Sequence, residues 1–140
     1  MVKGLKASFF LLFLATTLGS CKKLVEDKKR DLLLQIMTDG TWRVDGYNEG
    51  TVDVSAEFAS YNFQFNENGT VVGIHDGTTE QGTWVGDVNN YSINSNFPTA
   101  VNPIKRLNGT WKITDSSNTT VEAEMNTANG KNFLHLVKNS

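Results

Sequence analysis

The sequence is short of cysteine, proline and excess basic charge. Cys21 is its single cysteine, so no disulfide can form within the chain. Thirteen lysines and arginines stand against 15 aspartates and glutamates, which argues against nucleic-acid binding because that requires a basic surface. After Gly40 the sequence has no helical pattern long enough to connect parallel strands, so we expect antiparallel pairing in preference to a parallel sheet.

The first twenty residues have the pattern of a secretory signal. Two lysines precede an apolar run over residues 7–18, which is too short to span a bilayer and has the length of a signal-peptide core. The run ends in Leu18-Gly19-Ser20-Cys21. This string resembles the lipobox of bacterial lipoproteins, which implies a diacylglyceryl group on the Cys21 thiol and removal of residues 1–20.

Three parts are therefore expected: a signal peptide over residues 1–20, a lipidated charged tether over 21–31, and a folded domain over 32–140. A short helix from about Glu26 to Met37 is predicted at the start of the domain. Leu33, Ile36 and Met37 are spaced i, i+3 and i+4, so they share one helical face.

Short β-prone segments fill the chain after Gly40. Between residues 120 and 125 the apolar residues Val121, Ala123 and Met125 alternate with polar ones, which is the period of a half-buried strand. Asn68-Gly69 and Asn129-Gly130 predict tight hairpins, since both residues of such a turn need positive φ. About eight strands are predicted, with Thr51–Val54 as a candidate ninth: Thr41–Tyr47, Tyr61–Phe65, Thr70–Ile74, Gln81–Gly86, Tyr91–Ser95, Gly109–Asp115, Thr120–Met125 and Phe133–Leu136.

These strands predict an all-β fold, an antiparallel meander closed into a barrel or packed as a sandwich, preceded by the short helix. The segment Asn96–Asn108 carries both prolines and is the longest predicted loop. It is unusually apolar, so it either covers a barrel end or offers an exposed patch.

Gly-Thr-Trp occurs at residues 40–42, 82–84 and 109–111. Each copy is predicted to open a strand and bury its indole. The chain resembles the lipocalins in four ordered features. These are the first copy after a helical leader, the hairpin at 63–70, the second copy and the terminal strand at 133–138. They resemble more closely the small lipocalin-like domains on lipoproteins of diderm bacteria. In lipocalins a strand-end arginine packs on the first tryptophan, and the candidates for that place are Arg43, Arg106 and Lys138.

Six aromatic residues are predicted to wall the barrel interior, either as core or as the lining of a cavity: Trp42, Phe63, Phe65, Trp84, Tyr91 and Trp111. His75, Asp76 and Glu80 could form an acid–base or metal-binding set, but an exposed turn is the preferred interpretation. Asp87-Asn89-Asn90 lacks the rest of a calcium loop and is assigned to a turn. No catalytic residue, metal or cofactor is therefore predicted.

Two functions follow from these patterns. The lipocalin resemblance implies a non-catalytic module for a small hydrophobic ligand, because an eight-stranded barrel is just wide enough to hold one. The alternative is a filled barrel that serves as a protein-interaction or inhibitor module of the cell envelope. An enzyme is the third and least favoured class.

The lipoprotein resemblance also predicts a location. An aspartate after the lipidated cysteine is the usual inner-membrane retention signal in many diderms, and Lys22 stands there instead. We therefore expect an outer-membrane protein facing the periplasm, in preference to surface display.

Replacement of Cys21 by alanine tests the anchor. Because the thiol is the only acceptor for the diacylglyceryl group, we expect Cys21→Ala to abolish incorporation of labelled palmitate and to release or misprocess the protein. Labelling of the variant at the wild-type level would contradict the assignment.

Overall fold

The computed structural model describes residues 24, 25 and 27–140. The predicted signal peptide and Cys21 lie outside these residues. Helix α1 covers residues 27–38, close to the predicted helix, and includes the second half of the segment assigned to the tether. Within the described residues, no helix is long and apolar enough to cross a membrane.

Nine strands follow α1, and eight of them close into an antiparallel barrel. The strand β2 stands apart as a two-residue extension paired with β1. Two 3₁₀ turns, Ser55–Phe58 and Ile104–Leu107, lie in the connections. The bounds are β1 Trp42–Glu49, β2 Val52–Asp53, β3 Asn62–Phe65, β4 Thr70–His75, β5 Thr78–Asp87, β6 Ser92–Asn96, β7 Gly109–Ser116, β8 Thr120–Thr127 and β9 Gly130–Lys138. The predicted all-β barrel with a preceding helix is confirmed.

The barrel closes through β1, which pairs with β9 on one side and with β3 on the other. Seven residue pairs join β1 to β9, whereas the β1–β3 pairing consists of Trp42 opposite Phe63. Trp42 is fully buried at this seam. Its indole N–H donates to the carbonyl of Met37 at 3.0 Å, which ties the end of α1 to the barrel. The Nζ of Lys138 lies 5.0 Å from the centre of the Trp42 ring, so Lys138 makes a cation–π contact with the first tryptophan.

Side chains alternate between the interior and the outside in β3 and over Thr120–Ala123 of β8, as the sequence period requires. A β-bulge between Val44 and Gly46 interrupts the alternation in β1. Asp45 is the extra residue, and as a result Val44 and Tyr47 are both buried.

Two hairpin predictions are wrong in detail. Asn68 does not adopt positive φ; only Gly69 does, at 86°. Gly69 N–H donates to Asn66 at 3.1 Å, which is the three-residue hairpin with glycine at the left-handed position. The second predicted turn, Asn129-Gly130, is shifted by one residue. Gly130 begins β9 and pairs with Thr127, so the two turn residues are Ala128 and Asn129.

The two-residue turn with positive φ at both positions is Asp76-Gly77, at 46° and 77°. It joins β4 to β5, and this earlier start of β5 leaves Gly82-Thr83-Trp84 inside that strand. The prediction that this copy opens a strand is therefore also wrong.

Helix α1 covers the end of the barrel at which β1 begins, here called the helix end. Leu33, Leu34 and Ile36 pack against the core, and Met37 is fully buried. Leu33 lies so close to Gly86 that a Cβ there would come within 3.0 Å of its Cδ2. The other end, here called the lid end, is covered by the segment 97–108 and by the 3₁₀ turn Ser55–Phe58.

Trp42→Ala is expected to lower the free energy of unfolding by roughly 3–5 kcal/mol, the usual cost of emptying a buried large aromatic site. The measurement is urea unfolding followed by circular dichroism. Val85→Ala is the control, since the Val85 side chain is 66% exposed. A loss below about 1 kcal/mol for Trp42→Ala would show that the seam does not depend on the indole.

Candidate functional site

Five of the six aromatics expected in the interior are buried: Trp42, Phe63, Phe65, Trp84 and Trp111. Tyr91 is not, because 57% of it is exposed, and this part of the prediction is wrong. Strand β6 begins one residue later, at Ser92. Tyr91 itself is a turn residue with φ of 47°, so the strand alternation that predicted an inward side chain does not apply to it.

The N–H groups of the three tryptophans are all used within the fold. Trp84 donates to the carbonyl of Asn66 at 2.9 Å and Trp111 to that of Leu107 at 3.0 Å, as Trp42 does to Met37. A buried polar group that lacks a partner is costly, so these bonds fix the three rings. The three indoles are therefore core side chains held in place by hydrogen bonds to the backbone.

The barrel interior is nearly filled. Its remaining cavity has a volume of about 40 Å³ and is lined by apolar side chains and Ser95. The Ser95 hydroxyl donates to the carbonyl of Leu107. For comparison, an apolar cavity of about 150 Å³ holds benzene, and ligand pockets run to about 300–1,000 Å³. In this conformation the cavity is too small for a ligand of that kind.

The segment 97–108, here called the lid, covers the lid end of the barrel, one of the two alternatives left open by the sequence. Phe97, Ile104 and Leu107 are buried, whereas Val101 is 78% exposed. Two glycines make room for the buried side chains. A Cβ on Gly82 would lie 2.7 Å from the Phe97 ring, and one on Gly73 would lie 3.0 Å from Ile104.

Arg106 ties the lid to its neighbours. Its guanidinium pairs with Glu49 on β1 and, at 3.0 Å, with Glu57 in the 3₁₀ turn. Tyr47 Oη donates to the Arg106 carbonyl at 2.7 Å. Burial opposes the charge of Arg106, but the hydrogen bond and the attraction of the two glutamates outweigh it and raise its pKa. Burial also raises the pKa of Tyr47, so its phenol stays protonated and can donate.

The lid end also gathers a serine, a histidine and an aspartate. Ser60 Oγ lies 3.1 Å from His75 Nδ1, and His75 Nε2 lies 3.2 Å from Asp76. His75 also stacks on Tyr61, with ring centres 4.2 Å apart. Asp76 was predicted from the sequence, but Ser60 was missed. A serine fifteen residues earlier gives no local sign of this contact.

The Ser60 hydroxyl has two hydrogen-bond partners within reach: His75 Nδ1 and, at 2.5 Å, the carbonyl oxygen of its neighbour Ala59. The Ala59 carbonyl therefore competes with His75 for the proton that a nucleophilic serine gives to its histidine. Glu80 accepts a hydrogen bond from Thr99 at 2.8 Å. No metal-binding group of three acidic, histidine or cysteine residues occurs in the described part of the chain.

A shallow groove runs beside this cluster, here called the lid-end groove. It has a volume of about 170 Å³ and combines apolar and polar side chains. Its walls come from β4, β5, the lid and the residue before β3, and they include Tyr61, His75, Glu80, Val101 and Asn102.

Comparison with known proteins identifies the fold only. No family model and no curated protein matches the chain. A solved structure of a DUF4847 family protein from Bacteroides vulgatus is similar, with a TM-score of 0.55 and 16% identity over 76% of this chain and 97% of that chain. An uncharacterized protein from Bacteroides eggerthii matches with a TM-score of 0.43 and 12% identity, over 70% of this chain and 97% of that chain.

Arg106→Gln is expected to loosen the lid. Loss of the charged contacts should lower the free energy of lid opening by about 1–2 kcal/mol, since both glutamates are partly solvated. Amide hydrogen exchange should accelerate in residues 97–108 and stay unchanged in β8. Lys105→Gln removes an exposed neighbouring charge and is the matched control. Equal acceleration in both variants would contradict the role of Arg106.

Proposed function

We propose that the protein is a membrane-anchored, non-catalytic module of the cell envelope that binds a protein partner on the outside of a filled barrel. The observation that carries the proposal is the interior volume of about 40 Å³. Both barrel ends are covered, and the three indole N–H groups are bound to backbone carbonyls. A module of this kind presents its binding groups on its surface.

The anchor is the lipid on Cys21, which the Leu18-Gly19-Ser20-Cys21 string supports. The resemblance to lipocalin-like lipoproteins of diderm bacteria supports an outer-membrane position, with the domain in the periplasm. The eight-stranded barrel is compatible with that resemblance.

The lid-end groove is the surface that we assign to the partner. It combines the Tyr61–His75 stack with the acceptor Glu80 and the exposed Val101. Aromatic and apolar groups beside polar ones are typical of protein interfaces. The groove lies at the opposite end of the barrel from α1. The anchor is on the α1 side, so the groove is at the end away from it.

A small hydrophobic ligand is the second candidate, favoured by the apolar lining of the interior. It requires that Phe97, Ile104 and Leu107 leave the barrel, because these side chains occupy the space beneath the lid. In that case the ion pairs of Arg106 would hold the closed state.

A photo-crosslinking residue in place of Val101 tests the first candidate in intact cells. We expect a discrete crosslinked protein with the residue at position 101. The same residue at Thr114, which is exposed on the barrel wall, should give no such product. Equal products from both sites would contradict a partner at the lid end.

Mass spectrometry of the purified protein separates the two candidates. The chains on Cys21 are covalently bound and stay with the protein. The solvent extract should therefore contain no fatty acid or lipid in a stoichiometric amount. A stoichiometric extracted lipid would favour the second candidate over the first.

A further inference from the structure

An apolar groove follows α1 at the helix end of the barrel, here called the helix-end groove. Helix α1, the turn after β5 and the strand β7 line it, and its volume is about 190 Å³. Leu33, Ile36, Val88 and Ile113 contribute apolar surface, and Lys29 also lines it. The side chains of Leu32 and Tyr91 are 55% and 57% exposed beside it. Large apolar groups next to each other on a surface mark an interaction site.

The fold holds Tyr91 in this exposed position. Asp87 accepts hydrogen bonds from the backbone N–H groups of Asn89 and Asn90, at 3.0 and 3.2 Å, and from the Asn90 side chain at 2.7 Å. These bonds hold the pKa of Asp87 below its usual value, and the two from Asn90 contribute most. The turn they stabilise leaves Tyr91 with φ of 47°, which is uncommon for a bulky residue and is maintained where the surroundings enforce it.

The chain leading to the anchor begins at the same end. Two residues, Lys22 and Lys23, lie between Cys21 and Leu24, so this link of three residue steps reaches at most about 11 Å. Leu24 and Val25 are helical and exposed. Lys28, Lys29 and Arg30 are exposed on α1, between Asp27 and Asp31. A lipid on Cys21 therefore keeps apolar and basic groups of the helix end close to the bilayer.

We propose that the helix-end groove is a membrane-docking face for an anionic bilayer, which rests on the lipid anchor of the proposed function. Leu32 and Tyr91 enter the headgroup region, where tyrosine is enriched in membrane proteins. Lys28, Lys29 and Arg30 contact lipid phosphates. Docking at this face fixes the orientation of the barrel, so that the lid-end groove faces away from the membrane.

A spin label tests the orientation. Cys21 is the only cysteine and is acylated, so an introduced cysteine supplies the only free thiol. Asn89→Cys places a nitroxide beside Tyr91 without removing it, and Val101→Cys places one on the lid. The full acylated chain is reconstituted in vesicles of phosphatidylethanolamine and phosphatidylglycerol, and collision of each label with oxygen and with a water-soluble nickel complex is measured.

We expect the label at residue 89 to be shielded from nickel and accessible to oxygen. The label at residue 101 should be accessible to nickel. Leu32→Ser and Tyr91→Ser should each restore nickel access at residue 89, whereas Val101→Ser should not. Vesicles of phosphatidylcholine alone should weaken the shielding, because the basic residues then lack an anionic surface. Equal nickel access at residues 89 and 101 on anionic vesicles would overturn the docking face.

Palmitate incorporation in the same preparation separates the two ways of failing. Acylated protein with both labels accessible to nickel overturns the docking face and leaves the anchor intact. Protein that carries no palmitate overturns the anchor and, with it, the docking face. A folded Tyr91→Ser variant is verified by its circular dichroism, and Leu32→Ser provides an independent readout if Tyr91→Ser does not fold.

Discussion

The closure of the barrel depends on the burial of Trp42. This one residue pairs with Phe63 across the narrow side of the seam and with Lys138 across the broad side. Its N–H binds Met37 of α1, and the Lys138 ammonium lies over its ring. Indole burial, a hydrogen bond and a cation–π contact therefore act at a single position. The strands and the helix that covers one barrel end meet at this point.

Closure of both ends determines what the barrel can do. At the helix end, Leu33 and Met37 cover the interior; at the lid end, Phe97 and Ile104 do so. The glycines at 73 and 82 admit the lid side chains, and the carboxylates around Arg106 hold the lid in place. The interior then provides stability and leaves too little room for a ligand of ordinary size. These ends differ in character: one carries exposed apolar side chains beside Lys28, Lys29 and Arg30, and the other combines aromatic and polar groups.

The number of strands, the helix and the tryptophan core could be predicted from the sequence, because period-two alternation and apolar spacing are local signals. The exceptions depend on tertiary contacts. Tyr91 lies outside because the carboxylate of Asp87 organises the turn before it. The positive-φ hairpin is Asp76-Gly77, not Asn68-Gly69, because the register of β4 and β5 decides the turn. Likewise, the contact of Ser60 with His75 joins segments whose approach no local pattern records.

The pairing of β1 with β9 has a consequence for how the chain is made. The two strands lie at opposite ends of the barrel sequence, yet they share the broadest part of the seam. As synthesis proceeds, β3 to β8 can pair one after another, while β1 waits for a partner that emerges last. Until then the growing sheet has a free edge, which is open to pairing with other chains. Protection of that edge until β9 pairs with β1 is therefore a requirement that this topology places on the cell.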